Sequence, residues 1–215
     1  MMTFQTTSCD APAAKKFQLV GGNLCLDFTN SVGGKRGATT REHLHSYADL
    51  LSWWQQAGLV SEEEAKKLAR EAERAPDSAM KVLERAVELR EAIYRIFASV
   101  VKGHLPAKGD LEILNARLAA ALGRMRVQRN GATFVWSWAS DDCDLASPLG
   151  PIARAAAELL TDNWVRPRIH QCVGDNCGWL FVDSSKNHSR RWCDMRDCGN
   201  RAKVRRHRMK QRKQG

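Results

Sequence analysis

Residues 172–215, CVGDNCGWLFVDSSKNHSRRWCDMRDCGNRAKVRRHRMKQRKQG, decide how this chain folds. Cys172, Cys177, Cys193 and Cys198 form two C-x4-C pairs separated by fifteen residues. Closely spaced pairs let four thiolates occupy the corners of a tetrahedron, which is the geometry of a closed structural zinc site. Soft sulfur also favours zinc over calcium or magnesium. The four-residue spacer lies at the long end of the usual range for paired zinc ligands. Two disulfides would need an oxidising compartment, and no secretory signal precedes the chain's first apolar segment; an iron–sulfur cluster is the remaining alternative for four cysteines.

The expected surroundings of the metal are a hairpin and a helix. Gly178–Asp183 reads as one arm, Ser184–Ser189 as its polar turn and Arg190–Cys193 as the returning arm, with a helix beyond Cys198. Knuckle, hairpin and helix around one structural Zn2+ give a treble-clef-like finger. About fifty residues of this kind bury too little apolar surface to fold unaided, whereas structural zinc contributes ~10–16 kcal/mol of apparent binding free energy. Metal binding and folding of the finger are therefore expected as one transition.

Arg191-Trp192-Cys193-Asp194-Met195 and Cys198-Gly199-Asn200-Arg201-Ala202-Lys203 resemble the CGNR zinc-finger family, which takes its name from the four residues standing here at 198–201. Val20-Gly21-Gly22-Asn23-Leu24-Cys25-Leu26-Asp27-Phe28 is similar to the start of the ABATE domain, which precedes this finger in bacterial proteins regarded as stress-responsive transcription regulators. The resemblance spans nearly the whole chain, closest from Cys172 onward and looser between Gly33 and Arg166. It implies a DNA-binding finger carried on a helical sensory domain.

Charge points the same way. The net charge is +10, and residues 166–215 hold 14 Lys and Arg against 4 Asp, so the excess lies in the finger while residues 1–165 balance. A basic region of this density seeks a polyanion, most commonly nucleic acid. On a helix Arg201, Arg205, Arg208 and Arg212 share one stripe, flanked by Lys203, Arg206 and Lys210. Arg190 and Arg191 would extend that face, and Asn200 could reach a base edge, adenine being the usual partner of Asn. Four phosphate contacts would give log affinity a slope of about −3.6 against log salt. The Trp179 and Trp192 rings are expected to form the finger's small core.

Upstream, the chain of 215 residues reads as a disordered lead-in over 1–16, a helical domain over 17–165 and the finger over 166–215. Between Phe17 and Phe28 the apolar period fits strand or helix equally. Gly33-Gly34-Lys35-Arg36-Gly37 reads as a flexible connection, lacking the Gly-Lys-Ser/Thr ending of a phosphate-binding loop. Thr40 is expected to cap a helix bearing Leu44, Tyr47, Ala48, Leu51 and Trp54; Ser61 and Glu64 to box the next; Asp77 to cap the longest, with Val82, Leu83, Ala86, Leu89, Ile93, Phe97 and Val101 on one face. A further helix runs to Leu122, a hairpin turns on Asn130-Gly131, and an alanine-rich helix covers 152–160. Trp164–Ile169 reads as an extended joint that packs on both parts.

The expected fold class is mainly α with a small β-hairpin: a helical N-terminal domain plus the finger. Asp27, Asn30 and Arg41 are the candidate residues for a small-molecule effector, or a structural tie of the loop to the first helix. Cys25 and Cys143 read as buried small hydrophobes. The Trp53-Trp54 pair could place one ring inside and offer the other to a homodimer partner. No apolar run is long enough to span a bilayer, so the expected site is the cytoplasm, with no membrane partner. The expected function is zinc-dependent binding of duplex DNA by a transcriptional regulator without enzymatic activity. A zinc-stabilised RNA-binding protein and an HNH-like nuclease built on His188 and His207 are the alternatives.

Overall fold

A computed structural model describes residues 16–138 and 144–212; the lead-in before them, Cys9 and Cys143 lie outside. The ambiguous start resolves as a helix, α1 (Leu24–Thr29), because the Asn23 side chain accepts the Cys25 amide at 3.1 Å and caps it. Gly33–Lys35 (β1) and Thr39–Arg41 (β2) then pair as an antiparallel hairpin. The expected flexible loop is thus ordered, and Thr40 is a strand residue, not a helix cap. β-branched Thr39 and Thr40 favour extended backbone. The following helix starts instead at Tyr47, where Ser46 and Asp49 form a reciprocal capping box; it is α2 (Tyr47–Gln56).

The Ser61–Glu64 box starts α3 (Glu62–Arg74) as expected. The longest helix, α4 (Pro76–Val101), begins one residue before its predicted cap Asp77. Pro76 fits the first turn because its missing N–H would have no intrahelical acceptor there. α5 (Lys108–Leu122) leads into the predicted hairpin, β3 (Met125–Asn130) with β4 (Thr133–Trp138), whose turn places Gly131 at φ +61°. α6 (Leu149–Thr161) closes the body. Among the described residues no helix is long and apolar enough to cross a membrane.

Helix α4 is the axis of the core, packing against α1, α2, α3, α5 and α6. Its Ala86, Leu89, Ile93 and Phe97 are fully buried. Both Trp53 and Trp54 are at 0% exposure, Trp53 tilted against Phe28 at 4.9 Å between ring centres and Trp54 edge-on to Tyr47 at 5.7 Å. Neither ring is offered to a partner, which overturns that expectation. Residues on successive helical positions usually diverge, but here the core wraps α2 from two sides.

Beyond α6 the chain turns at Arg166–Arg168 and runs as β5 (Ile169–Gln171), which pairs with β6 (Leu180–Val182). The hairpin partner of Leu180–Val182 is therefore upstream of the cysteines; Arg190–Cys193 is a loop, not a returning strand. The cause is Asp183, fully buried, whose carboxylate accepts the Ser185 and Arg190 amides at 2.8 Å each and gathers 184–190 into a loop. Burial opposes ionisation of Asp183, but hydrogen bonds from Ser185 and Arg190 outweigh it and hold the carboxyl at about 2.

Ile169 and Leu180 are buried in the same apolar cluster as the helices. The Asn30 side chain donates to the Leu180 carbonyl at 2.8 Å and accepts its amide at 3.1 Å, as a neighbouring strand would. Val182 donates to the Gly21 carbonyl at 2.8 Å and the Trp179 indole to Val32 at 2.7 Å. Gly178 lies so close that a Cβ there would stand 3.3 Å from the Tyr94 hydroxyl and 3.5 Å from the Lys35 backbone. Asn30→Ala strands two buried backbone groups, and a loss of about 2 kcal/mol is expected from urea unfolding; an unchanged midpoint would contradict the role given to Asn30.

Candidate metal centre and basic helix

Two local devices bring the four sulfurs together. The connection between β5 and β6 carries Cys172 and Cys177 on a tight knuckle closed by the Cys177 amide on the Gly174 carbonyl at 3.1 Å. A methyl on Gly174 would lie 3.3 Å from the Cys198 sulfur and 3.5 Å from that of Cys172, so glycine leaves the sulfurs their room. The second pair brackets a π-helical turn, Met195–Gly199, started by Asp194, which accepts the Arg196 amide at 2.7 Å. Cys193 precedes that turn and Cys198 lies within it, two residues before α7 (Asn200–Gln211).

All four sulfurs are buried and lie within 4.8 Å of one another. Cys177–Cys193 and Cys193–Cys198 are each 3.7 Å between sulfurs, matching the edge of ~3.8 Å that a tetrahedron with zinc–sulfur bonds of ~2.3 Å requires. Crowding by Cys172 and Cys177 pushes the Cys193 thiol far up, and burial with the Cys172 charge raises Cys198. Four sulfurs at contact ionise together only around a cation, and zinc supplies that charge when bound. The donor set is all sulfur, closed and buried, so it fits one structural zinc ion. Gly174 donates to the Cys172 sulfur and Arg201 to that of Cys198, each at 3.5 Å, orienting the ligands. Trp179 and Trp192 pack on this cluster with Phe181, as expected of a small core.

α7 carries no acidic residue, and Asn200, Arg201, Lys203, Arg205, Arg206, Arg208, Lys210 and Arg212 are all exposed. Asp197 pairs with Arg201 at 2.9 Å and Asp175 pairs with Arg205. Among the described residues Lys203, Arg206, Arg208, Lys210 and Arg212 have no such carboxylate. A groove of about 370 Å³ runs between α7 and the knuckle, lined by Arg191, Arg205, Arg206 and Lys210. Arg191 thus joins the basic face.

Arg190 does not. Its guanidinium lies over the Phe181 ring and donates to the Trp192 carbonyl at 2.8 Å and to that of Cys193, which makes it a brace of the sulfur loop. Nothing in the sequence separates the two, since Arg190 and Arg191 are adjacent and chemically identical.

Asp27, Asn30 and Arg41 stand in three different settings. Asn30 is spent on Leu180, Arg41 is an exposed residue of β2, and Asp27 accepts the Gly21 amide at 2.7 Å. Burial raises the Asp27 carboxyl to about 6 against the pull of the Gly21 amide. Sequence reading missed a chain of ion pairs nearby. Arg90, 2% exposed, forms a bidentate pair with Glu42 at 2.6 and 2.7 Å and contacts Glu91 at 2.9 Å; Glu91 in turn holds Arg36 at 2.7 Å. Arg36 stacks on the Tyr94 ring at 3.7 Å, and the Tyr94 hydroxyl accepts from Gln171 of β5 at 2.8 Å. Arg36 is therefore turned inward.

Four clustered, buried cysteines at the foot of a helix, fused to a helical body, define a zinc-finger protein. The family models agree. One for ABATE, described as "Putative stress-induced transcription regulator", matches residues 22–163, and one for the CGNR zinc finger matches residues 168–211. The chain belongs to the ABATE family and carries a CGNR zinc finger at its C-terminal side. No curated protein matches it.

Proposed function

We propose that this chain is a zinc-dependent, duplex-DNA-binding transcriptional regulator with no reaction of its own. The observation that carries the reading is α7: a twelve-residue helix without an acid, held at its N-terminus by the sulfur cluster and exposed along its length. Like charges around a helix repel in water, and a phosphate backbone supplies the opposite sign. Arg191 and the groove beside α7 widen the contact, while Asn200 stands exposed at the helix start where a base edge could be met.

Lys203, Arg206, Arg208, Lys210 and Arg212, without carboxylate partners among the described residues, set the scale. If all meet phosphates, log affinity falls against log salt with a slope of about −4.5, steeper than four contacts would give. Replacing Arg206, Arg208 and Lys210 by Gln is expected to flatten that slope to about −1.8. Fluorescence anisotropy of the zinc-loaded protein with labelled duplex, at several salt concentrations, reads both. Structured and single-stranded RNA of equal length serve as competitors. Preference for RNA, absence of a saturable complex at low salt, or nicking of plasmid in magnesium or manganese that His188→Ala removes would each overturn the proposal.

A further inference from the structure

Between α3, α4, α5 and the start of α6 lies a cavity of about 560 Å³, within the range of ~300–1,000 Å³ usual for small-molecule sites. It shares no residue with the finger or with Asp27, Asn30 and Arg41. One wall is apolar: Leu68, Ala121 and the Pro148–Pro151 start of α6. The other is cationic, because α3, α4 and α5 each bring a basic residue, Lys67, Arg85 and Arg117, and Arg124 stands at the rim.

The charges do not balance within the cavity. Its two acids are already engaged: Asp144 pairs with Arg124, and Glu64 accepts the Ser61 amide at 2.7 Å in the cap of α3. Ser61 and then Lys67 hold the Glu64 carboxyl down, so it stays an anion. Among the described residues these four cations face two anions in the lining, and Glu88 beside Arg117 meets a third, which leaves a surplus of one positive charge beside apolar surface. Arg117 contacts Glu88 through Nη2 at 3.3 Å.

We propose that this cavity binds a small amphiphilic carboxylate. Its apolar body lies on Leu68, Ala121 and the α6 start, and its carboxylate sits between Arg85 and Arg117. A monoanion suits the site because Glu64, Asp144 and Glu88 already meet three of the four cationic charges. The assignment stands apart from the DNA-binding reading and shares no residue with it.

Isothermal titration of the full zinc-loaded chain with sodium octanoate is expected to show one saturable site below about 1 mM, with octylammonium and 1-octanol giving no saturable heat. Arg85→Gln removes an exposed charge without touching the core, and about tenfold weaker binding is expected. Ala120→Trp, on an exposed lining position, should fill the mouth and abolish the heat. DNA affinity measured without octanoate should be unchanged in both variants, which separates failure here from failure of the DNA reading. Silence with both octanoate and phenylacetate, equal binding of octylammonium, or octanoate binding indifferent to both substitutions would overturn the assignment.

Discussion

Stripping the metal with a chelator, or replacing Cys177 by serine, is expected to unfold residues 172–198 and to lower the thermal midpoint of the whole chain. The finger's own cluster is small: Phe181 and the four cysteines are buried in it, with Val20, Trp179 and Trp192 half-covering them. That surface cannot replace the ~10–16 kcal/mol of apparent free energy that structural zinc supplies. The consequence reaches further because Leu180, fully buried, and Ile169 belong to the helical core. The helices persist, so far-UV circular dichroism should change little while amide exchange at Leu180 and Cys172 accelerates strongly. Elemental analysis should give one zinc per chain. If exchange at those amides is unchanged after complete metal removal, the metal is not what holds the finger.

Replacing Glu42 by Gln should cost about 3 kcal/mol, the low end for breaking a buried ion pair because Glu42 keeps a third of its side-chain surface in water. Arg90 is left nearly fully buried with Glu91 as its one carboxylate, and Glu91 is shared with Arg36. A fall in melting temperature on the order of 10 °C is expected for a chain of this size. The pair also sets a pH dependence. Burial by itself would raise the Glu42 carboxyl; hydrogen bonds from Arg90 and from the Leu44 and His43 amides outweigh it and hold it at about 2, below its ordinary 4.5. Its stabilisation is therefore fully present above pH 4.5 and lost as pH falls through 2. In Glu42→Gln that part of the acid-induced loss should vanish; a variant with the same melting temperature and acid profile as the parent would refute the role of the pair.

Much of this was legible in the residues, and the failures share one cause. Spacing alone located the metal ligands, because zinc imposes its geometry locally. Repetition at helical period located α3, α4 and α5, and Asn130-Gly131 the β3–β4 turn. What could not be read was anything depending on contacts distant in sequence. Leu180–Val182 is apolar enough for a strand, but that its partner is Ile169–Gln171 follows from Asp183 closing the next loop and from Asn30 taking the other edge. Two adjacent arginines part company at 190 and 191 because one finds the Phe181 ring and two carbonyls. Trp53 and Trp54 are both buried because α2 is enclosed on two sides, which a single-helix period does not reveal. The Arg36–Glu91–Arg90–Glu42 chain joins two segments far apart in sequence, residues 36–42 and α4, each unremarkable by itself.

The edge of β6 that Asn30 and Gly21 occupy has a practical corollary. Cutting the chain near Arg166 to obtain a free-standing finger would bare Leu180 and Ile169 on one fragment and leave an unfilled socket on the other. Both halves would then present sticky apolar surface and unpaired strand backbone, a recipe for self-association. The smallest soluble unit carrying α7 in its working orientation is thus one that keeps α1 and α4, and a swivelling finger on a tether is not a motion this architecture allows.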